Sequence, residues 1–212
     1  MSIFDLLLIL LVLATGAIFL VIVGALLFRR WALGGRLFAG LLLVWIVYLG
    51  VGTMIAYFTP QRTLSVGEDR CFDEICFAVT GFHRMPTIES AGNVIRAHGV
   101  FLIVDARVSS RSRGHIQHET GRKGVLLDQA GNTYGVSSEG MQALARIEGP
   151  LPGLDTEVAP GQSVPIKLVF DIPKNVLHPT FTLGTNLSVF PARIVIANDE
   201  HFLHKPTIVP LD

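Results

Sequence analysis

The chain has 212 residues, half of them hydrophobic, with 17 basic and 17 acidic side chains. Setting aside residues 1–59 removes Asp5, Arg29, Arg30 and Arg36 and leaves a slightly acidic remainder. That excludes the basic stripe of a nucleic-acid-binding module, and the remainder is the size of one domain.

Leu6–Phe28 and Leu37–Thr59 are two apolar runs without a charged residue. Each can cross a hydrocarbon core of roughly 30 Å as a tilted helix. Neither has the polar stripe of a helix buried in a soluble protein. Met1–Asp5 holds no lysine or arginine, so the first run lacks the basic start of a cleaved signal peptide and reads as a retained span. Arg29, Arg30 and Arg36 lie in the short polar turn 29–36 between the runs. Arginines beside span ends stay on the cytoplasmic side, so the turn is expected inside and both termini outside. Ala14, Ala17, Gly24, Gly52 and Ala56 are small residues at helical spacing, expected to let the two helices of the hairpin pack closely. Neither run holds a charge that would mark an ion or proton path.

Thr59-Pro60 ends the second run, because the residue before proline disfavours the helical region. Residues 60–73 read as a polar linker. From residue 74 the hydrophobic period changes to two. Glu74–Phe82 reads as a strand with Ile75, Phe77 and Val79 on one face. Gly99–Ser109 is the best-patterned strand. It places Val100, Leu102, Val104, Ala106 and Val108 on one side, while the other side turns polar at Asp105, Arg107 and Ser109. Val125–Asp128 and Asn132–Val136 flank Gln129-Ala130-Gly131 as a hairpin. Gly140–Glu148 is the one segment beyond the two apolar runs with helical character. Pro160-Gly161 marks a tight turn, with proline setting the first central residue and glycine supplying a positive φ. Ser163–Asp171 alternates cleanly, with Val164, Ile166, Leu168 and Phe170 on one face. Phe181–Val189 repeats the pattern, and Arg193–Ala197 is a short last strand. The expected architecture is a two-helix transmembrane hairpin followed, over 74–212, by an all-β immunoglobulin-like sandwich of about seven strands, each with one buried and one wet face.

The strand CFAVTGF, the long strand HGVFLIVDARVSS, the hairpin LLDQAGNTYGV and the stretch APGQSVPIKLVFDIPKN occur in that order. The chain thereby resembles a bacterial family of membrane-anchored, extracytoplasmic immunoglobulin-like domains, telokin-like in fold and of unknown function. The resemblance covers about residues 74–197. It rests on Asp128, Gly131 and Tyr134 of the hairpin, the Pro160-Gly161 turn and Phe170-Asp171-Ile172-Pro173. It implies no catalytic residue and a bacterial cytoplasmic-membrane location. Two spans and a cysteine pair at the domain's start depart from that family.

Cys71 and Cys76 are the chain's two cysteines. Outside the cytoplasm a disulfide is favoured. A spacing of five puts the two on opposite faces of a regular strand, so the bridge requires a turn at Asp73-Glu74. No C-x-x-C is present, and two cysteines alone would leave zinc short of ligands.

His115 and His118 fall in a polar loop, expected to be mobile and solvated, and His201 and His204 near the end read the same way. Asp105, Asp128 and Asn132 lack the oxygen density of a calcium loop, and Asp128 reads as turn chemistry. Ser137 and Ser138 have no histidine nearby in sequence, and no nucleophile-elbow, phosphate-loop or dinucleotide motif occurs. Asn186-Leu187-Ser188 matches a glycosylation sequon inside an expected strand. No catalytic residue, metal or cofactor is expected. The expected function is a non-catalytic binding module, with the lipid bilayer and another extracytoplasmic or membrane protein as partners and no nucleic acid. The alternative is an accessory or assembly subunit recognised through its transmembrane hairpin.

Overall fold

The computed structural model describes residues 3–90, 93–185 and 204–212, with side chains omitted at residues 3, 4, 90, 93 and 185. The chain divides into two compact units, one built on Met1–Pro60 and the other on Gln61–Ser188 with Pro206–Asp212.

The first unit holds α1 (Ile3–Leu27) and α2 (Trp31–Phe58), both long and apolar enough to cross a membrane. Their connection is shorter than the expected turn. Trp31–Arg36 already forms the start of α2, and the reversal is made at residues 28–30, with Arg29 at φ 57°. The helices meet along a seam of Leu8, Ile22 and Ala25 on α1 and Gly34, Tyr48, Gly52 and Ala56 on α2, with Leu8 at Tyr48 and Ile22 at Gly34. Across it Trp45 Nε1 donates to Thr15 Oγ1 at 3.1 Å, and that hydroxyl donates to Leu11 O at 2.8 Å. Gly52 and Ala56 are buried in the pair as expected, whereas Ala14 and Ala17 are exposed. Outward faces carry Leu13, Leu20 and Leu27, each at least 65% exposed, an apolar surface of the kind that contacts lipid or another protein.

The second unit is a β-sandwich with eight strands among the described residues. One sheet has the order β1 (Arg70–Phe72), β2 (Ile75–Ser90), β3 (Asn93–Ser110), β6 (Ser163–Ile172); the other runs β5 (Thr133–Gly135), β4 (Arg122–Leu127), β7 (Thr180–Thr185), β8 (Ile208–Pro210). All pairings between these strands are antiparallel. The alternating residues meet between the sheets. Leu102, Val104 and Val108 of β3 and Ile166, Leu168 and Phe170 of β6 are buried against Leu126, Phe181, Leu183 and Val209.

Several expectations change. The linker 60–73 is built into the sandwich: Thr63 bridges Ile208, Leu64 is buried and β1 pairs with β2. Residues 83–90 and 93–98, unassigned from sequence, extend β2 and β3 into a long arm with a register break at Pro86, after an earlier one at Thr80. The outer face of the first sheet is not wholly wet. Helix α3 (Ser138–Glu148) covers it, burying Ile88, Phe101, Ile103 and Val169 against Ala143 and Leu144. The expected strand Phe181–Val189 is described as far as Thr185; Arg193–Ala197, His201 and the Asn186 sequon lie outside the described residues.

The disulfide is present, with Cys71 directly opposite Cys76 across a hairpin whose turn is Asp73-Glu74, Asp73 taking φ 55°. Because the loop it closes is small, replacing both cysteines by alanine should cost about 2 kcal/mol. Mass spectrometry after alkylation without reductant should find neither thiol modified. The turn at Pro160-Gly161 also forms as read. Gln162 N donates to Ala159 O at 3.0 Å and Gly161 sits at φ 70°, as a type II turn requires.

Candidate functional site

A polar cleft of about 730 Å³ lies where the root of the β2–β3 arm, the end of β6 and the start of α3 converge. Three local features build it. At the arm's root the β2–β3 ladder is interrupted between Arg96 and Phe101, and pairing of β3 with β6 begins at Val100 opposite Ile172. The backbone N–H groups freed there are taken by Asp171, whose carboxylate accepts from His98 N at 2.9 Å and Gly99 N at 3.2 Å. Position 99 must be glycine, since a Cβ would strike the Ile172 carbonyl oxygen and lie 2.8 Å from Pro173 Cα. On the third side, Val136 bridges Phe170 and Ser137 N donates to Val169 O, docking the segment before α3 against β6. The Ser137 hydroxyl then caps α3 by accepting from Gly140 N at 3.1 Å.

The side chains that face the cleft are mixed in charge: His98, Glu139, Asp171 and Lys174, with Ser138 beside them. His98 Nδ1 lies 2.8 Å from Asp171 Oδ2, which fixes the ring and leaves Nε2 to the cleft. The hydrogen bond to Asp171, then its charge, and to a lesser degree the charge of Glu139 raise the His98 pKa above its ordinary 6.5. Burial pushes Asp171 upward, but the His98 and Gly99 N–H groups and the His98 ring outweigh it and hold the carboxyl below its usual range. The raised His98 value contributes stability that is complete below pH 6.5 and is lost as pH rises through the folded value. The lowered Asp171 value contributes stability above the carboxylate range, lost as pH falls through its depressed value. The pair therefore holds best between those limits. The contribution is small, because the His98 side chain is 93% exposed. NMR titration should place the His98 imidazole above its ordinary value, and Asp171→Asn should return it there.

The cleft brings a histidine to Ser137 and Ser138, which have none near them in sequence. It does not make a nucleophilic triad. The Ser137 hydroxyl is engaged as a cap, and no hydrogen bond joins Ser138 to His98 among the described residues. Sequence reasoning missed His98, Asp171 and Lys174 as a group. The available signal was His98-Gly99 opening the strongest strand, with Asp171 closing its partner.

Other candidates fall where turn and loop chemistry puts them. Asp128 accepts from Ala130 N, Asn132 N, Asn132 Nδ2 and Tyr134 Oη at 2.8–3.0 Å, which occupies the carboxylate. Asn132 is the largest of the causes holding its pKa low. Asp105 of β3 lies 3.5 Å from His83 of the neighbouring β2. No group of three or more metal-ligating side chains occurs among the described residues. His115 and His118 are exposed, but their loop is held rather than free: Gln117 exchanges backbone hydrogen bonds with Val158, and its side chain donates to Glu74 at 2.8 Å. On the helix pair, Leu7, Leu11, Ala14, Val44, Val47 and Tyr48 line an apolar groove of about 520 Å³. Arg29, Arg30 and Arg36 are exposed at the reversal and first turn of α2.

No protein-family model matches the chain, and no curated protein matches it. Among solved structures it is similar to a conserved hypothetical protein from Bacillus anthracis, at 14% identity and a TM-score of 0.47 over 56% of this chain and 88% of that one. An uncharacterised β-sandwich protein from Clostridium difficile aligns at 9% identity and TM-score 0.45 over 73% of this chain and 96% of its own. A secreted protein from Mycobacterium tuberculosis aligns at 13% identity and TM-score 0.39 over 61% and 93%. All three TM-scores are below 0.5, and nothing about function follows from them.

Proposed function

We propose that this chain is a membrane-anchored, non-catalytic binding module. Its β-sandwich is displayed on the outer side of a bacterial cytoplasmic membrane and takes part of another extracytoplasmic or membrane protein into the His98–Asp171 cleft. The observation that carries the reading is the cleft itself: open, polar and preorganised, with His98 oriented by Asp171 and charges of both signs at its rim. The apolar helix pair supports anchoring, and the arginines at its reversal support a cytoplasmic turn. The Cys71–Cys76 bridge is in keeping with an oxidising compartment. The resemblance to anchored telokin-like domains points the same way.

The test is site-specific photo-crosslinking of the full chain in its own membrane. A crosslinker at Ser138 should give a discrete adduct, and one at Gln142, exposed further along α3, should not. His98→Ala combined with Lys174→Glu should abolish the Ser138 adduct without unfolding the sandwich. Equal labelling at both positions would sink the reading. The groove on the helix pair favours a second reading, an assembly subunit recognised through its helices. Thr15 lends that reading no support, because its hydroxyl is satisfied within the pair. A crosslinker at Val47 capturing a protein while Ser138 captures none would favour it.

A further inference from the structure

One end of the sandwich collects several connections. Arg122, which opens β4, stacks its guanidinium 3.1 Å from the ring centre of Phe72 beside the disulfide turn. The starts of β1's turn and of β4 therefore share an end. Arg122 also lies opposite Thr185, the last residue of β7. Thr63 runs parallel to Ile208 of β8, and Gln61 Nε2 donates to Pro206 O at 2.9 Å, one step further toward that same end. Gln61 follows the last residue of α2, Phe58, after only Thr59 and Pro60. The β3–β4 loop, 111–121, is thus at the end where the chain passes from its apolar helices into the sandwich.

That loop holds an isoleucine out in water. Ser112 Oγ accepts from Gly114 N and His115 N at 3.4 and 3.2 Å, and Gln117 is fixed on both sides by Val158 and Glu74. Ile116 sits between these anchors and is 62% exposed. A pinned loop that holds an apolar side chain out in water leaves that side chain available to an interface, and the charges around it decide which one. Charge indicates what. Residues 111–123 carry Arg111, Arg113, Arg122 and Lys123 against the single acid Glu119. Arg111 is engaged by Asp69 and Arg122 by Glu119, while Arg113 and Lys123 have no ion pair among the described residues. One apolar tip and two available cations, at the end of the sandwich where Gln61 brings the chain in from α2, match an anionic lipid surface.

We propose that this loop rests on anionic lipid headgroups, with Ile116 entering the interface and Arg113 and Lys123 meeting phosphates. The inference rests on the helix pair being inserted in a bilayer. The full chain is placed in nanodiscs of phosphatidylcholine with and without phosphatidylglycerol. The native cysteines are bridged, so Ile116→Cys gives one site for an environment-sensitive fluorophore. Leu177→Cys, 66% exposed in the connection leading to the opposite end of β7, is the control. Headgroup-spin-labelled lipid should quench the fluorophore at 116 several-fold more than at 177. Anionic lipid should enhance that quenching, and Arg113→Glu with Lys123→Glu should remove the enhancement. Equal quenching at the two sites, or no quenching at 116, overturns the proposal. Acyl-chain-brominated lipid should at the same time quench Trp31 and Trp45 of α2. If those are quenched while 116 is not, only the loop proposal falls. If they are not quenched, the anchoring reading falls with it.

Discussion

Phe170→Ala should cost the sandwich about 3–5 kcal/mol, from lost transfer energy and the cavity left behind. Phe170 is fully buried between the sheets. Its ring meets Phe181 edge-on at 6.3 Å, tying β6 to β7 across the core. Its backbone lies opposite Leu102 and bridges Val136, so the same residue joins the best-patterned strand to the segment that positions α3. Whole domains are stable by about 5–15 kcal/mol, so this single change removes a large part of the total. Thermal unfolding of the full chain should show the sandwich transition lowered on the order of 10 °C. His115→Ala with His118→Ala, at two exposed loop positions, should move it by less than about 0.5 kcal/mol.

Gly99→Ala is the second large effect, by overpacking rather than by loss. The added Cβ would meet the Ile172 carbonyl and Pro173 Cα, both main-chain atoms that no rotamer change can move aside. Overpacking typically costs about 1–3 kcal/mol. Here relief requires β3 to separate from β6 where Asp171 gathers the His98 and Gly99 N–H groups. The His98 titration should therefore lose its Asp171-dependent shift in the same variant. Gly135→Ala is the matched control: it lines the same cleft, but its added Cβ meets nothing within 4 Å. It should leave both stability and titration within about 0.5 kcal/mol of the parent.

What the sequence disclosed and what it hid follow from the range of the forces involved. Period-two patterning put Leu102, Val104, Val108, Leu168 and Phe170 in the core, and all are buried there. The Pro160-Gly161 turn and the bridge across Asp73-Glu74 were legible because both are local chemistry. The outer face was not. Alternation separates two faces but does not say that α3 will cover Phe101, Ile103 and Val169. The arm, residues 83–90 and 93–98, was missed because Pro86 and Gly99 interrupt the period where the register breaks. Strands β1 and β8, three residues each, are too short to carry a pattern and exist through long-range pairing. The cleft was illegible for the same reason: His98, Ser138 and Asp171 are far apart in sequence and meet only through the β3–β6 ladder and the docking of α3.

A displayed binding module requires the sandwich to lie on the outer side of the membrane. A reporter enzyme active only outside the cytoplasm, fused after Asp212, should be active. The same reporter fused after Arg30, following α1 alone, should be silent, because the proposed topology puts Arg29 and Arg30 on the cytoplasmic side. Activity after Arg30 with silence after Asp212 would put the sandwich in the cytoplasm and contradict a displayed binding module.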